Sequence, residues 1–114
     1  MIKPQHVEII VNSPLNLKLK LTFESSLLYF MGHFDRQHLL PGVVQIGYVI
    51  EYAKEFLCDS VSCDIPQIKF TSPIIPGDEV LLNIRLYREK KYLEFEYILY
   101  KLGKTASKGK IKIL

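Results

Sequence analysis

Several features that define whole classes of protein are missing from this sequence. It has only two cysteines, Cys58 and Cys63, too few for a disulfide scaffold and not spaced with histidine as a zinc site would be. Its six glycines and six prolines follow no period, which excludes collagen-like and low-complexity chains. No apolar run approaches the roughly 18 residues of a membrane span, and charge and proline interrupt the first 12 residues where a signal peptide would be apolar. We therefore expect a cytoplasmic protein without a membrane span or a metal site.

The composition is that of an ordinary globular protein. The chain has 114 residues, of which 48% are hydrophobic and 24% are charged. This length is enough for one domain and too short for two, so a single domain over residues 1–114 is expected. A core this small buries only about two-thirds of the surface that the unfolded chain exposes, so oligomerisation would stabilise it.

The net charge of +3 is unevenly distributed along the chain. Residues 1–79 carry 6 basic and 9 acidic side chains, whereas residues 80–114 carry 9 basic and 3 acidic ones. A segment this basic predicts an acidic partner at one end of the molecule. An alternative is a lysine-rich edge strand that resists aggregation.

Hydrophobic periodicity predicts one helix among several strands. Alternation over residues 17–23 indicates a strand with one buried face. Residues 43–57 are apolar except for a stripe of Glu51, Lys54 and Glu55, which predicts a buried helix whose start lies deepest. After a polar connector, four strand-like segments joined by turns predict an antiparallel meander, over residues 67–74, 78–87, 91–101 and 105–114. The fold expected is α+β, a sheet wrapped around one long central helix, with a second subunit covering its open side.

The residues just before the helix are the best candidates for chemistry. His33 lies in Gly-His-Phe, and Pro41-Gly42-Val43 begins the helix. A helix amino terminus offers unpaired N–H groups and a positive dipole end to a developing oxyanion. A neutral imidazole near it could take a proton from a carbon beside a carbonyl. The alternative is a structural histidine.

Two motifs with their spacing resemble a known family. Gly-His-Phe, six residues and then Pro-Gly-Val resemble the 3-hydroxyacyl-ACP dehydratases of the hot-dog fold. Residues 68–78 are similar to the same family's KF-x-x-PV-x-PGD strand and turn. The helix start, with Gln45, is most similar to the ApeI-like subgroup that serves aryl polyene synthesis. The resemblance covers the chain from about residue 17 to its end and implies a dimeric hot-dog fold.

The resemblance also implies roles for individual residues. His33 matches the histidine that removes the α-proton of the acyl thioester, and Gly42 matches the glycine whose N–H polarises the thioester carbonyl. The carbonyl of Leu39 would orient the imidazole. An acyl tunnel beside the helix at the dimer interface would be lined by Phe34, Leu39, Val43, Gly47 and Glu51. No cofactor is implied beyond the phosphopantetheine arm of an acidic acyl carrier protein, which the lysine-rich half would dock.

One position departs from the family pattern. Gly47 stands where the family has the Asp or Glu that handles the leaving hydroxyl, fourteen residues after the histidine. Glu51 lies one turn further on, about 6 Å along the axis, and its side chain could lean back. The alternative places Glu51 in the solvated stripe with Lys54 and Glu55. Other replacements considered are Asp35, His38 and the hydroxyl of Tyr48.

The reaction implied is dehydration of 3-hydroxyacyl-ACP to trans-2-enoyl-ACP in fatty acid or aryl polyene-type biosynthesis, slowed by the missing acid. The assembly implied is a homodimer or a higher oligomer. The first alternative is a non-catalytic hot-dog subunit that binds acyl carrier protein or pairs with an active paralogue. The second is an acyl thioesterase. Nucleic-acid binding is not expected, because no arginine cluster accompanies the lysines and tyrosines of the last strands.

Overall fold

The computed structural model describes residues 6–23, 40–57, 67–75 and 77–113. They form one helix and six strands: β1 (His6–Asn12), β2 (Asn16–Thr22), α1 (Gly42–Phe56), β3 (Gln67–Phe70), β4 (Glu79–Tyr87), β5 (Tyr92–Leu99) and β6 (Lys104–Lys112). The predicted helix of residues 43–57 differs from α1 by one residue at each end. Among the described residues, no helix is long and apolar enough to cross a membrane.

The strands form one antiparallel sheet in the order β1-β2-β4-β5-β6-β3. The predicted four-strand meander is therefore wrong, because only β4, β5 and β6 are consecutive neighbours. β3 pairs with β6 at one edge, and β2 occupies the place beside β4. The turn before β4 extends the β2–β4 ladder, since Phe23 bonds to Gly77 and Asp78 at 2.6 and 3.1 Å.

β1 is a strand that hydrophobic alternation did not predict. Its segment contains apolar residues in succession, and Val7, Ile9, Ile10 and Val11 are all at least 40% exposed. A register irregularity between Ile9 and Val11 interrupts its pairing with β2. Because neither face of β1 is buried, its sequence lacks the period of two that marks a half-buried strand.

One face of the sheet packs against the helix. Alternate residues of β2, β4 and β5 point inward and are buried, as the alternation predicts. The helix contributes buried residues from Val44 to Ala53 to this core. The inward face of the sheet and the buried face of α1 thus form the core, which is the predicted α+β arrangement.

The start of the helix is not its deepest part, contrary to the prediction. Val43 is 76% exposed and Gly42 is half-buried, whereas Tyr48 and Val49 are fully buried. A sheet on one side of a helix leaves its opposite side uncovered, and Val43 lies on that open side. Because Val43 is apolar, the sequence pattern indicates burial at a position that is exposed in the structure.

Candidate active site at the start of the helix

Several predicted site residues lie outside the described residues. These are His33, Phe34 and Leu39, together with the alternatives Asp35 and His38. The described part of the candidate site is the start of α1 with the strands packed against it. It contains the predicted residues Gly42, Val43, Gly47 and Glu51.

The first two amides of the helix have no hydrogen-bond acceptor among the described residues. Pro41 is the N-cap and supplies no side-chain cap, and the first turn contains no acidic residue. The carbonyl of Pro41 accepts from the N–H groups of Val44 and Gln45, at 3.0 and 3.1 Å. Among the described residues, the N–H groups of Gly42 and Val43 have no acceptor, at the end of the helix where the dipole is positive. The sequence predicts oxyanion donors at this position, and that role stays a prediction.

The ring of Phe70 packs against Gly42. A Cβ atom built on Gly42 would lie 2.5 Å from Cζ of the Phe70 ring, so the ring occupies the space of the missing side chain. Phe70 itself is 55% exposed. Two exposed apolar side chains, Val43 and Phe70, thus lie at the start of the helix, and such surroundings suit the apolar part of a ligand.

A buried polar network surrounds the same turn. Gln45 is 4% exposed, and its Nε2 donates to the carbonyl of Leu40 at 3.1 Å. The hydroxyl of Ser107 donates to Oε1 of Gln45 at 2.8 Å, and the hydroxyl of Tyr97 donates to its backbone carbonyl at 2.6 Å. Burial raises the pKa of Tyr97 well above its usual value, so this donor keeps its proton at neutral pH.

The side chains that hold the turn come from one line across the sheet. Ser107 of β6 lies opposite Tyr97 of β5 on one side and opposite Phe70 of β3 on the other. We call these three residues the clamp row. Tyr97 and Ser107 bond to Gln45, and Phe70 packs on Gly42. Sequence reasoning missed all three roles; the isolated polar Gln45 in an apolar helix was the available signal.

The third turn of the helix holds polar groups without partners. One carboxylate oxygen of Glu51, Oε2, is buried and has no hydrogen-bond partner among the described residues, and the same is true of the Tyr52 hydroxyl. Lys54 and Glu55 are exposed, but Glu51 is half-buried, so its placement in one solvated stripe with them is wrong. Burial, with the charges of Glu51 and Glu55, raises the pKa of Tyr52 to about 12.

The two ends of the candidate site are far apart within one chain. Glu51 is nine positions after Gly42, which is about 13 Å along the helix axis. That distance exceeds the reach of a glutamate side chain. Gly47, half-buried between them, supplies no functional group. Tyr48 is a core residue, fully buried with its ring 5.8 Å from that of Phe23.

The opposite, outer face of the sheet forms an open, mainly basic groove of about 760 Å³. Its charged lining consists of five basic and two acidic side chains: Lys18, Lys69, Arg85, Lys108, Lys110, Glu94 and Glu96. Both carboxylates already have partners: Glu94 forms an ion pair with Lys110 at 3.9 Å, and Glu96 accepts a hydrogen bond from the Thr105 hydroxyl at 2.5 Å. Lys69 and Lys108 face each other directly across β3 and β6. β6 lies inside the sheet, so the explanation of its lysines as edge-strand protection is wrong.

Solved structures identify the fold. The dehydratase heterocomplex ApeI:P from Xenorhabdus doucetiae contains a chain that matches with a TM-score of 0.88 and 36% identity, covering 98% of each chain. An uncharacterised protein from Erwinia carotovora matches with a TM-score of 0.83 and 32% identity, covering all of this chain and 97% of that one. Thioesterase superfamily member 2 from Mus musculus, at 16% identity and a TM-score of 0.73, covers 94% of this chain and 80% of that one and shares the fold alone. The fold is the α+β hot-dog fold, as predicted.

The sequence comparison then gives the family. The ApeI-like family, described as ApeI dehydratase, matches residues 10–110. The 3-hydroxyacyl-(acyl-carrier-protein) dehydratase FabZ of Clostridium botulinum is 33% identical over 70 residues, covering 54% of this chain and 49% of that protein. The chain thus spans about half the length of the curated relatives it matches. It belongs to the ApeI-like dehydratase family, and the predicted resemblance is confirmed.

Proposed function

We propose that this protein dehydrates 3-hydroxyacyl thioesters carried on acyl carrier protein, giving trans-2-enoyl thioesters. The observation that carries the proposal is the pair of amides at Gly42 and Val43, which have no acceptor among the described residues and lie close to the exposed side chains of Val43 and Phe70. Membership in a dehydratase family supports it.

The proposed reaction uses the free amides for charge and His33 for the proton. The thioester oxygen accepts the hydrogen bond of the Gly42 N–H, which stabilises the negative charge that develops when the α-proton leaves. His33 takes that proton, the Cα–Cβ double bond forms, and the C–O bond of the β-hydroxyl breaks. The hydroxyl needs a proton to leave as water, so the reaction needs a proton donor at Cβ.

We propose two sources of that proton. The imidazolium formed at His33 can return its proton to the hydroxyl, which balances the reaction without a second residue. Glu51 of the same chain is too far along the helix from Gly42 to serve the same thioester. We propose that a carboxyl group of a second chain, either a copy of this one or a paralogue, assists where assistance exists.

A second chain also fits the exposed surface of the helix start. Val43 and Phe70 are apolar and more than half exposed, and β3 pairs on one side only among the described strands. A dimer that covers them would enclose the apolar acyl chain beside the free amides. Support comes from the similarity to a chain of the dehydratase heterocomplex ApeI:P.

The acidic partner predicted from the charge asymmetry is proposed to be the carrier protein. The basic outer groove supports this, because it has five basic side chains against two acidic ones and both of its carboxylates already have partners. In a pull-down with acidic carrier protein, Lys69→Glu and Lys108→Glu should weaken binding, while Lys54→Glu on the helix should not.

The test of catalysis is thioester hydration and dehydration, followed by absorbance of the enoyl group. We expect a slow wild-type rate that falls to background in His33→Ala. A carboxyl group introduced by Gly47→Asp should raise the rate, since general acid assistance typically contributes about 10²–10⁴-fold. A background rate in both wild type and Gly47→Asp, alone and with a co-expressed paralogue, would reject the dehydratase proposal.

The absence of an acid at Gly47 favours one other function from a different class. A non-catalytic subunit would hold the carrier protein or complete the site of an active paralogue. It would bind carrier protein equally well in the His33→Ala variant and would show no turnover alone. Release of free acid instead of the enoyl thioester would indicate a thioesterase.

A further inference from the structure

We propose that Gln45 is a positioning residue that sets the direction of the Gly42 N–H, and that Ser107 and Tyr97 act through it. This inference rests on the proposed function for its catalytic consequence, but its structural part stands on the hydrogen bonds alone. The network described above holds two successive peptide planes, the second of which contains the N–H of Gly42.

The first of these planes is the peptide between Leu40 and Pro41. Its carbonyl accepts from Nε2 of Gln45 at 3.1 Å. The N–H of Leu40 donates to the carbonyl of Ile74 at 2.8 Å, so the residue is held from both sides. The ring of Pro41 then fixes the next rotation, with φ at −60°.

The second plane is the peptide that contains the Gly42 N–H itself. In a trans peptide the N–H and the C=O point in opposite directions, so the direction of the Pro41 carbonyl fixes that of the Gly42 N–H. The Pro41 carbonyl accepts from the backbone N–H groups of Val44 and Gln45, at 3.0 and 3.1 Å. Gln45 therefore holds the first plane with its side chain and shares the second with Val44 through its backbone.

The clamp row keeps Gln45 in this conformation. Ser107 satisfies Oε1 of the side chain, which leaves Nε2 directed at Leu40, and Tyr97 bonds to the main-chain carbonyl. Both residues are buried, at 1% and 0% exposure, so water does not compete for these bonds. Without the hydroxyl of Ser107, the buried amide of Gln45 would lose the bond that orients it.

Orientation of an oxyanion donor affects the reaction more than it affects ground-state binding. Removing such a donor typically costs about 10²–10³-fold in kcat, and misdirecting it should cost less. We expect Ser107→Ala and Gln45→Leu to lower kcat by about tenfold or more while KM changes little. The matched control is Ser13→Ala, which removes a hydroxyl bonded to the carbonyl of Asn16 at 3.2 Å in the turn between β1 and β2, outside the candidate site, and should leave kcat unchanged.

A second readout makes the inference independent of activity. Residual dipolar couplings measured by NMR report the direction of each N–H bond. We expect those of Gly42 and Val43 to change in Ser107→Ala and Gln45→Leu and to stay unchanged in Ser13→Ala. Unchanged couplings in both network variants would overturn the inference, whether or not the enzyme is active. If the couplings change in the network variants and the wild type shows no turnover, the result would support positioning and reject the proposed reaction instead.

Discussion

The first and third turns of the same helix differ in how their polar groups are satisfied. Around the first turn, the side chains of Gln45, Ser107 and Tyr97 are all buried and all hydrogen-bonded. In the third turn, Oε2 of Glu51 and the hydroxyl of Tyr52 are buried without a partner among the described residues. Buried polar groups are normally paired, because an unpaired one costs roughly 1–3 kcal/mol. Within the described part of the chain, the buried polar side chains around the first turn therefore all have partners, and two buried polar atoms of the third turn have none.

This difference fits a site divided between two chains. The first turn presents the amides of Gly42 and Val43, and donors held in place are what oxyanion stabilisation needs. The third turn contains a buried carboxyl oxygen of Glu51 that a donor from another molecule would stabilise. A second chain over the exposed helix start would bring new groups to both turns. The following predictions test the contrast between the turns.

The largest effect on stability is expected at Gly109, where β6 and β3, the strands that carry Ser107 and Phe70 of the clamp row, approach closely. A Cβ on Gly109 of β6 would overlap the carbonyl oxygen of Gln67 on β3 and touch the Phe95 ring. Gly109→Ala should therefore separate β3 from β6 and displace Phe70 from the first turn. We expect a loss of about 2–3 kcal/mol in the free energy of unfolding, the cost of overpacking, measured by urea denaturation.

The control for this variant is its neighbour in the same strand. Lys108 is exposed on the outer face, so Lys108→Ala should change the free energy of unfolding by less than about 0.5 kcal/mol. Equal stability of the Gly109→Ala and wild-type proteins would contradict the close approach of β3 and β6.

A second variant pair compares two buried tyrosine hydroxyls directly. Tyr97→Phe removes the bond to the carbonyl of Gln45 and should cost about 1–1.5 kcal/mol. Tyr52→Phe removes a hydroxyl without a partner and should cost nothing or stabilise the fold. Thermal and urea unfolding at pH 7 measure both. Equal losses in the two variants would remove the contrast between the turns.

The sequence predicted the elements of this site better than their connections. The alternation of β2, β4 and β5 and the apolar run of α1 are local signals, and those elements lie within a few residues of the predicted positions. β3 was placed beside β4, because a turn signal at Gly77 indicates a change of direction but not the partner strand. Pairing of β3 with β6 depends on contacts between residues far apart in sequence.

The same limit applies to the candidate site. The free amides of Gly42 and Val43 follow from the Pro-Gly start of a helix, which is a local pattern. The bonds from Tyr97 and Ser107 to Gln45 span 52 and 62 residues, and no spacing rule finds them. The exposure of Val43 also depends on what the sheet leaves uncovered, which composition does not record.

Alkaline pH should affect the third turn through Tyr52. Its pKa is raised from 10.0 to about 12 in the fold, first by burial and then by Glu51 and Glu55. The unfolded chain thus loses this proton at a lower pH than the folded chain, so the stabilisation present below pH 10 is lost as the pH rises from 10 towards 12. Relative to wild type, Tyr52→Phe should gain about 1 kcal/mol by pH 11. Urea unfolding of both proteins at pH 8 and pH 11 measures it, and a constant difference between them would contradict the raised pKa.

The smallest effect is expected at the carboxyl oxygen that has no partner. Glu51→Gln replaces a charge with a neutral amide, and a neutral group costs less to bury without a donor. The isolated chain should therefore keep its stability or gain about 0.5 kcal/mol, whereas Glu55→Gln, at an exposed position, should change nothing. If a second chain supplies the missing donor, Glu51→Gln should instead destabilise the assembly, because the neutral amide cannot replace the charged hydrogen bond of the carboxylate. Unfolding measured across protein concentration separates the two cases, and a Glu51→Gln variant that is destabilised even as a monomer would show that the third turn is already complete.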